Sequence, residues 1–174
     1  MKVFLRQIGY RIGQGLSRLR PVSLADGDLD TARSYLTALQ FDRFRTMSAH
    51  DQHHHCCVAR ELIGEGLVDP DLLTAALLHD IGKCADGRGP RLIDRAIYVL
   101  LERIRPGSVR KISRRHRWWN EGLVLLAEHA QRGADIADQL GCNERVRELI
   151  ARHGDQSTGN DAHLAALQRA DSVC

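Results

Sequence analysis

"LLTAALLHDIGK", residues 72–83, decides how the rest of the chain is read. Seven uncharged, mostly apolar residues run into His79-Asp80, and Gly82 and Lys83 close the stretch. Apolar residues on every face describe a buried helix rather than a half-exposed one. An imidazole and a carboxylate at the end of such a helix need partners, because burying them unpaired carries a large penalty. A metal ion would serve if other helices bring more ligands to the same place.

The 174 residues suit one domain with a substantial core. A hydrophobic content of 43% against 27% charged is that of an ordinary soluble protein. No window approaches the roughly 18 uninterrupted apolar residues that a membrane span requires. The opening "MKVFLRQIGYRIGQGLSRLRPVS" is interrupted by arginines and lacks the apolar run of a signal peptide. Five cysteines without a CxxC pair fit a reduced, cytoplasmic chain better than a disulfide framework, with Cys56 and Cys57 as small core residues.

The pattern is helical nearly throughout, with apolar positions recurring at three and four. It predicts helices over 2–19, 28–46, 50–66, 70–81, 91–104, 107–115, 119–140, 143–153 and 161–173. Asp28, Asp69 before Pro70, Asn120 and Asn143 are the start signals, and Gly66, Gly82 and Gly141 the stops. The expected fold is all-α, a compact single-domain helical bundle. Residues 1–27 form a basic amphipathic helix and connector, 28–174 the functional domain, and 85–118 a basic insertion within it.

Polar residues on apolar stripes mark the further ligands. In "AHDQHHHCCVARELIGEG" (49–66), steps of four back from Leu62 and Val58 land on His54, with His53 and His55 about 100° to either side. Asp171 lies four after Leu167 and seven after Leu164; His153 lies four after Leu149 and seven after Val146; His129 sits in "LAEHAQRGADIADQLG". Each alone has a structural explanation, since a lone buried histidine is more often hydrogen-bonded than metal-bound. Together His54, His79, Asp80, His129, His153 and Asp171 are borderline or hard ligands from five helices. That set suits one or two divalent ions of manganese, iron, magnesium, cobalt or zinc.

"His54…His79-Asp80…Asp171" resembles the HD superfamily of metal-dependent phosphohydrolases, and "LLHDIGK" is similar to its most specific segment. The likeness covers roughly residues 40–174. "HAQRGADIADQLG…VRELIARH" resembles the subgroup with two extra histidines, which includes cyclic-dinucleotide phosphodiesterases and small hydrolases. The resemblance implies that His54, His79, Asp80 and Asp171 hold one ion. It further implies that Asp80 bridges to a second ion held by His129 and His153. Departures are a "GDQSTGND" segment after His153 in place of a GYP-like motif, and a long interval from Asp80 to His129 that contains the basic insertion. Only three residues follow Asp171, so the last helix is expected to have little to brace it.

Two ions acidify a bridging water and neutralise phosphoryl oxygens, which makes hydrolysis of a phosphate ester the expected reaction. Asp80 and Lys83 are the expected catalytic residues, with Lys83 and Arg152 contacting substrate. Lys83 can equally be a cation at a helix C-terminus. The expected partner is a small phosphate ester, a nucleotide foremost. The basic segments are read as a site lid or rim (Arg110, Arg114, Arg115 and Arg117) and as a helix packing on the domain or across a homodimer, ahead of contacts to nucleic acid or anionic membrane. Two alternatives stay open: a regulatory or interaction module that keeps the metal site only for structure, and a di-iron oxygenase of the same superfamily.

Overall fold

The computed structural model describes residues 24, 26–83, 94, 97, 98, 100, 101, 109 and 121–174. The expected helices 2–19, 91–104 and 107–115, and Arg110, Arg114, Arg115 and Arg117, fall outside these residues; of that stretch only 94, 97, 98, 100, 101 and 109 are described, and they are helical. Seven α-helices make up the described fold, with no strand among them: α1 (Asp26–Tyr35), α2 (Ala38–Arg45), α3 (Ala49–Gly64), α4 (Pro70–Leu78), α5 (Glu121–Gln139), α6 (Glu144–Arg152) and α7 (Ala162–Val173). A single 3-10 turn, Ile81–Lys83, follows α4. No helix among the described residues is long and apolar enough to cross a membrane.

Helix α4 is the axis of the domain. Asp69 caps it through the Leu72 N–H at 3.0 Å, Pro70 opens it, and every residue from Leu72 to Leu78 is buried. It packs against α1, α3, α6 and α7, which is why its apolar residues need no polar face. Burial of each leucine contributes roughly 1.5–3 kcal/mol. Asn143 caps α6 and Asp161 caps α7. Gly66 and Gly141 take positive φ of 79° and 72°. Beside them the Leu67 and Cys142 N–H groups reach back to the Leu62 and Ala137 carbonyls at 2.9 Å, the pattern that ends a helix on a left-handed glycine.

Three expectations are corrected. The helix predicted over 28–46 is two helices, because Thr37 starts a second one: its hydroxyl accepts from the Gln40 N–H while the Gln40 side chain accepts from the Thr37 N–H. Asp28 is no cap; it is buried inside α1 and paired with Arg60 of α3. Finally, Cys57 is bonded to Cys174, their Cα atoms 5.9 Å apart. Their separation of 117 positions hid a pairing that only the packing of α3 on α7 creates. Cys56 does lie in the core, where burial pushes its thiol up to about 12.

Gly82 also does more than stop a helix. A Cβ there would overlap the His129 carbonyl oxygen and come within 2.6 Å of the Gly133 nitrogen. Only glycine lets the turn after His79-Asp80 lie directly on the backbone of α5. That approach brings His129 to Asp80.

Candidate metal centre

Five helices converge on Asp80. His54 comes from α3, His79 caps the end of α4, His129 lies within α5, His153 caps the end of α6 and Asp171 lies in the last turn of α7. Asp171 Oδ1 stands 2.9 Å from His54 Nε2 and 3.5 Å from His79 Nε2. Asp80 Oδ2 lies 3.6 Å from His79 Nε2, and Asp80 Oδ1 lies 3.5 and 3.4 Å from the Nε2 atoms of His129 and His153. Ligand atoms of His54, His79 and Asp80 fall within 4.8 Å of one another, and so do those of Asp80, His129 and His153. Asp80 belongs to both groups, one oxygen turned to each.

The backbone sets which ring nitrogens are available. Nδ1 of His79 lies 2.9 Å from the Ala76 carbonyl, and those of His129 and His153 lie 2.7 Å from the Leu126 and Ile150 carbonyls. A carbonyl only accepts, so each Nδ1 carries the proton and donates it. That leaves Nε2 of each ring turned toward Asp80, the orientation that metal-ligating histidines require. His79 and His153 end their helices and reach the free carbonyl three residues back, while His129 reaches the Leu126 carbonyl from inside α5.

The donor chemistry of this arrangement fits a divalent cation. His79 Nε2 and Asp80 Oδ1 are buried with no hydrogen-bond partner among the described residues. The Nε2 atoms of His129 and His153 meet at 3.2 Å beside the same Asp80 oxygen. Burial holds His129 down at about 4, so its ring is neutral near pH 7 and brings no proton to the gap. Burial alone would raise Asp80, yet Lys83, His79 and His153 outweigh it and hold the carboxyl well below the usual range. Burial also opposes charge on His79, but Asp80 and Asp171 draw a proton to it and raise it. Oxygens and nitrogens that attract a proton this strongly would attract a divalent ion. Four imidazoles and two carboxylates form a donor set that suits a divalent metal ion.

Lys83 contacts Asp80 Oδ2 from the 3-10 turn. Arg152, expected near substrate, is engaged elsewhere: its guanidinium pairs with Glu148 at 2.9 Å and Asp155 at 3.2 Å. His79 is fully buried, while Lys83 at 20% and Asp171 at 36% exposure are the parts of the centre that solvent reaches. The groove between α5 and α6 is lined by Asp135, Asp138, Glu144 and Glu148, with Arg147 as the one cation among the described residues, a predominantly acidic surface that disfavours phosphate.

His55 escaped the sequence reading. The buried face of α3 comprises Gln52, His55, Cys56, Val58, Ala59 and Leu62, and His54 is half-buried beside it. His55 is fully buried, donates from Nδ1 to the Leu77 carbonyl at 2.9 Å, and packs in a tilted arrangement with its ring centroid 4.5 Å from that of His79. The signal was available in the second spacing, 52, 55, 59, 62, which is as regular as 54, 58, 62.

A family model described as HD domain matches residues 55–174, well over half of the chain. The match begins one residue after His54 and takes in His79, Asp80, His129, His153 and Asp171. No curated protein and no solved structure matches the chain.

Proposed function

Since the chain belongs to the HD domain family, we propose that it is a metal-dependent phosphohydrolase that cleaves a phosphate ester, a nucleotide or related mono- or diester, in the cytoplasm. The observation that carries this reading is Asp80: a buried carboxylate shared by two histidine groups, with a lysine ammonium against it. His54, His79, Asp80 and Asp171 would hold one ion, and Asp80, His129 and His153 a second. Divalent ions bound there supply Lewis acidity, lowering the pKa of water and offsetting charge on phosphoryl oxygens.

The chain's own residues do the rest. Ala76, Leu126 and Ile150 fix three imidazoles so that no rearrangement is needed on binding. Asp80 stays ionised and sets the spacing between the two groups. Lys83 leans on Asp80 and is reached by solvent, so its ammonium can turn to a phosphoryl oxygen and stabilise charge as it builds. The closed wall of His55, His79 and Phe44 keeps water off the back of the centre.

Plasma mass spectrometry of the purified protein, counting metal per chain, followed by a panel of nucleotides and of aryl phosphate mono- and diesters, tests the reading. Metal-dependent phosphate release that vanishes in Asp80→Asn supports it. Iron alone with oxygen consumption would redirect it to an oxygenase. No bound metal after soaking in excess would leave a regulatory module.

A further inference from the structure

The disulfide lies one helical turn from the ligand pair on both of its helices. Cys57 is three residues after His54 on α3, and Cys174 is three after Asp171. His54 and Asp171 touch at 2.9 Å, so the same two helix segments are joined twice, once by a polar contact and once by a covalent bond. Little else holds that end of α7. Ala170 is its last buried side chain, and Ser172 and Val173 are exposed. Arg169 pairs with Glu65, but both are surface groups, and exposed pairs contribute little.

We propose that the Cys57–Cys174 pair is a redox-sensitive clamp that keeps Asp171 in the metal centre when oxidised and releases it when reduced. The inference rests on the metal-site reading of Asp171 given above. Both cysteines are partly exposed and within reach of a reductant, whereas Cys56 and Cys142 are buried. Disulfides in a reducing compartment are usually transient and redox-sensing, which is what the proposed cytoplasmic setting requires. A dithiol reductant opens the clamp: one thiolate attacks a sulfur of the pair, the other cysteine leaves as a thiolate and takes up a proton, and the second thiol resolves the mixed disulfide. Two electrons pass to the pair, which becomes two thiols, and the reductant departs as a cyclic disulfide. Asp171 then depends for its position on the last turn of α7 and on its contacts with His54 and His79, and an ion held there would have one ligand less firmly placed.

The test compares manganese binding to the oxidised full chain, to the same chain reduced by a phosphine, and to Cys57→Ser in both conditions, with hydrogen exchange followed over residues 164–174. Reduction should weaken binding about ten- to hundredfold, the usual effect of loosening a ligand's support. It should also speed exchange in that segment while far-UV circular dichroism is retained. Cys57→Ser should match the reduced chain and not respond to reductant. Unchanged exchange and affinity on reduction would overturn the clamp while leaving the metal centre standing. Faster exchange with no manganese bound in either state would instead sink the metal reading, and the clamp's purpose with it. Five free thiols in the protein isolated without reductant, or global unfolding on reduction, would overturn the clamp as well.

Discussion

His129 Nε2 and His153 Nε2 face each other across 3.2 Å, each with its ring proton already given to a carbonyl of its own helix. Asp80 Oδ1 stands 3.4 Å from His153 and 3.5 Å from His129, so two nitrogens and a carboxylate oxygen crowd one point. A cation resolves the arrangement.

His129→Ala or His153→Ala should therefore lower the metal content by one equivalent and leave the His54–His79–Asp80–Asp171 group loaded. Asp80→Asn should empty both. Plasma mass spectrometry on the three variants decides between a shared and a single site; an unchanged count in His153→Ala would remove the second ion from the account.

Lys83→Met should leave the metal count unaltered and slow turnover of a phosphate ester by about 10²–10³-fold, the usual loss when one charge-stabilising donor is removed. If kcat is unchanged, Lys83 is only a partner for Asp80.

Gly82→Ala should destabilise the fold by about 3 kcal/mol or more, since both atoms in its way are backbone and cannot yield as a side chain would. Urea unfolding measures the loss. The metal associated with His129 and His153 should go first, because α5 must retreat from the turn.

His55→Ala leaves the Leu77 carbonyl without its donor and opens a gap behind His79. The expected cost is about 1–3 kcal/mol in unfolding free energy for the orphaned group alone, with metal stoichiometry preserved. A lost equivalent of metal would make His55 part of the centre.

Asp161 predicts the acid limb of stability. Arg145 grips it through two bonds of 2.9 and 2.6 Å and, against the opposing effect of burial, holds its carboxyl well below the ordinary 3.8. A group depressed in the folded state contributes stability above its unfolded value and loses it as pH falls through and below that value. Asp161→Asn keeps the cap on the Leu164 N–H but gives up the ion pair. Its melting temperature should fall relative to the parent at pH 6, and the difference should shrink below about pH 4. A constant difference across that range would show that the ion pair contributes nothing.

The all-α architecture was legible because it rests on local signals: the 3.6-residue period, Asp69-Pro70 and Asn143 as starts, Gly66 and Gly141 as stops. Thr37 was misjudged for a related reason. Its capping box with Gln40 is local too, but apolar residues continue in phase on both sides and mask the break.

What the sequence alone determined is which residues carry lone pairs at the ends or on the stripes of buried helices, since periodicity and capping act over a few residues. That was enough to nominate His54, His79, Asp80, His129, His153 and Asp171 together. Only the tertiary structure decided the rest. The sharing of Asp80 between two groups depends on α5 settling against Gly82, a backbone contact with no sequence period. The depth of His55 depends on α3 being covered on two faces rather than one. The Cys57–Cys174 bond joins positions 117 apart, and no local rule reaches that far; it exists because α7 returns to lie on α3.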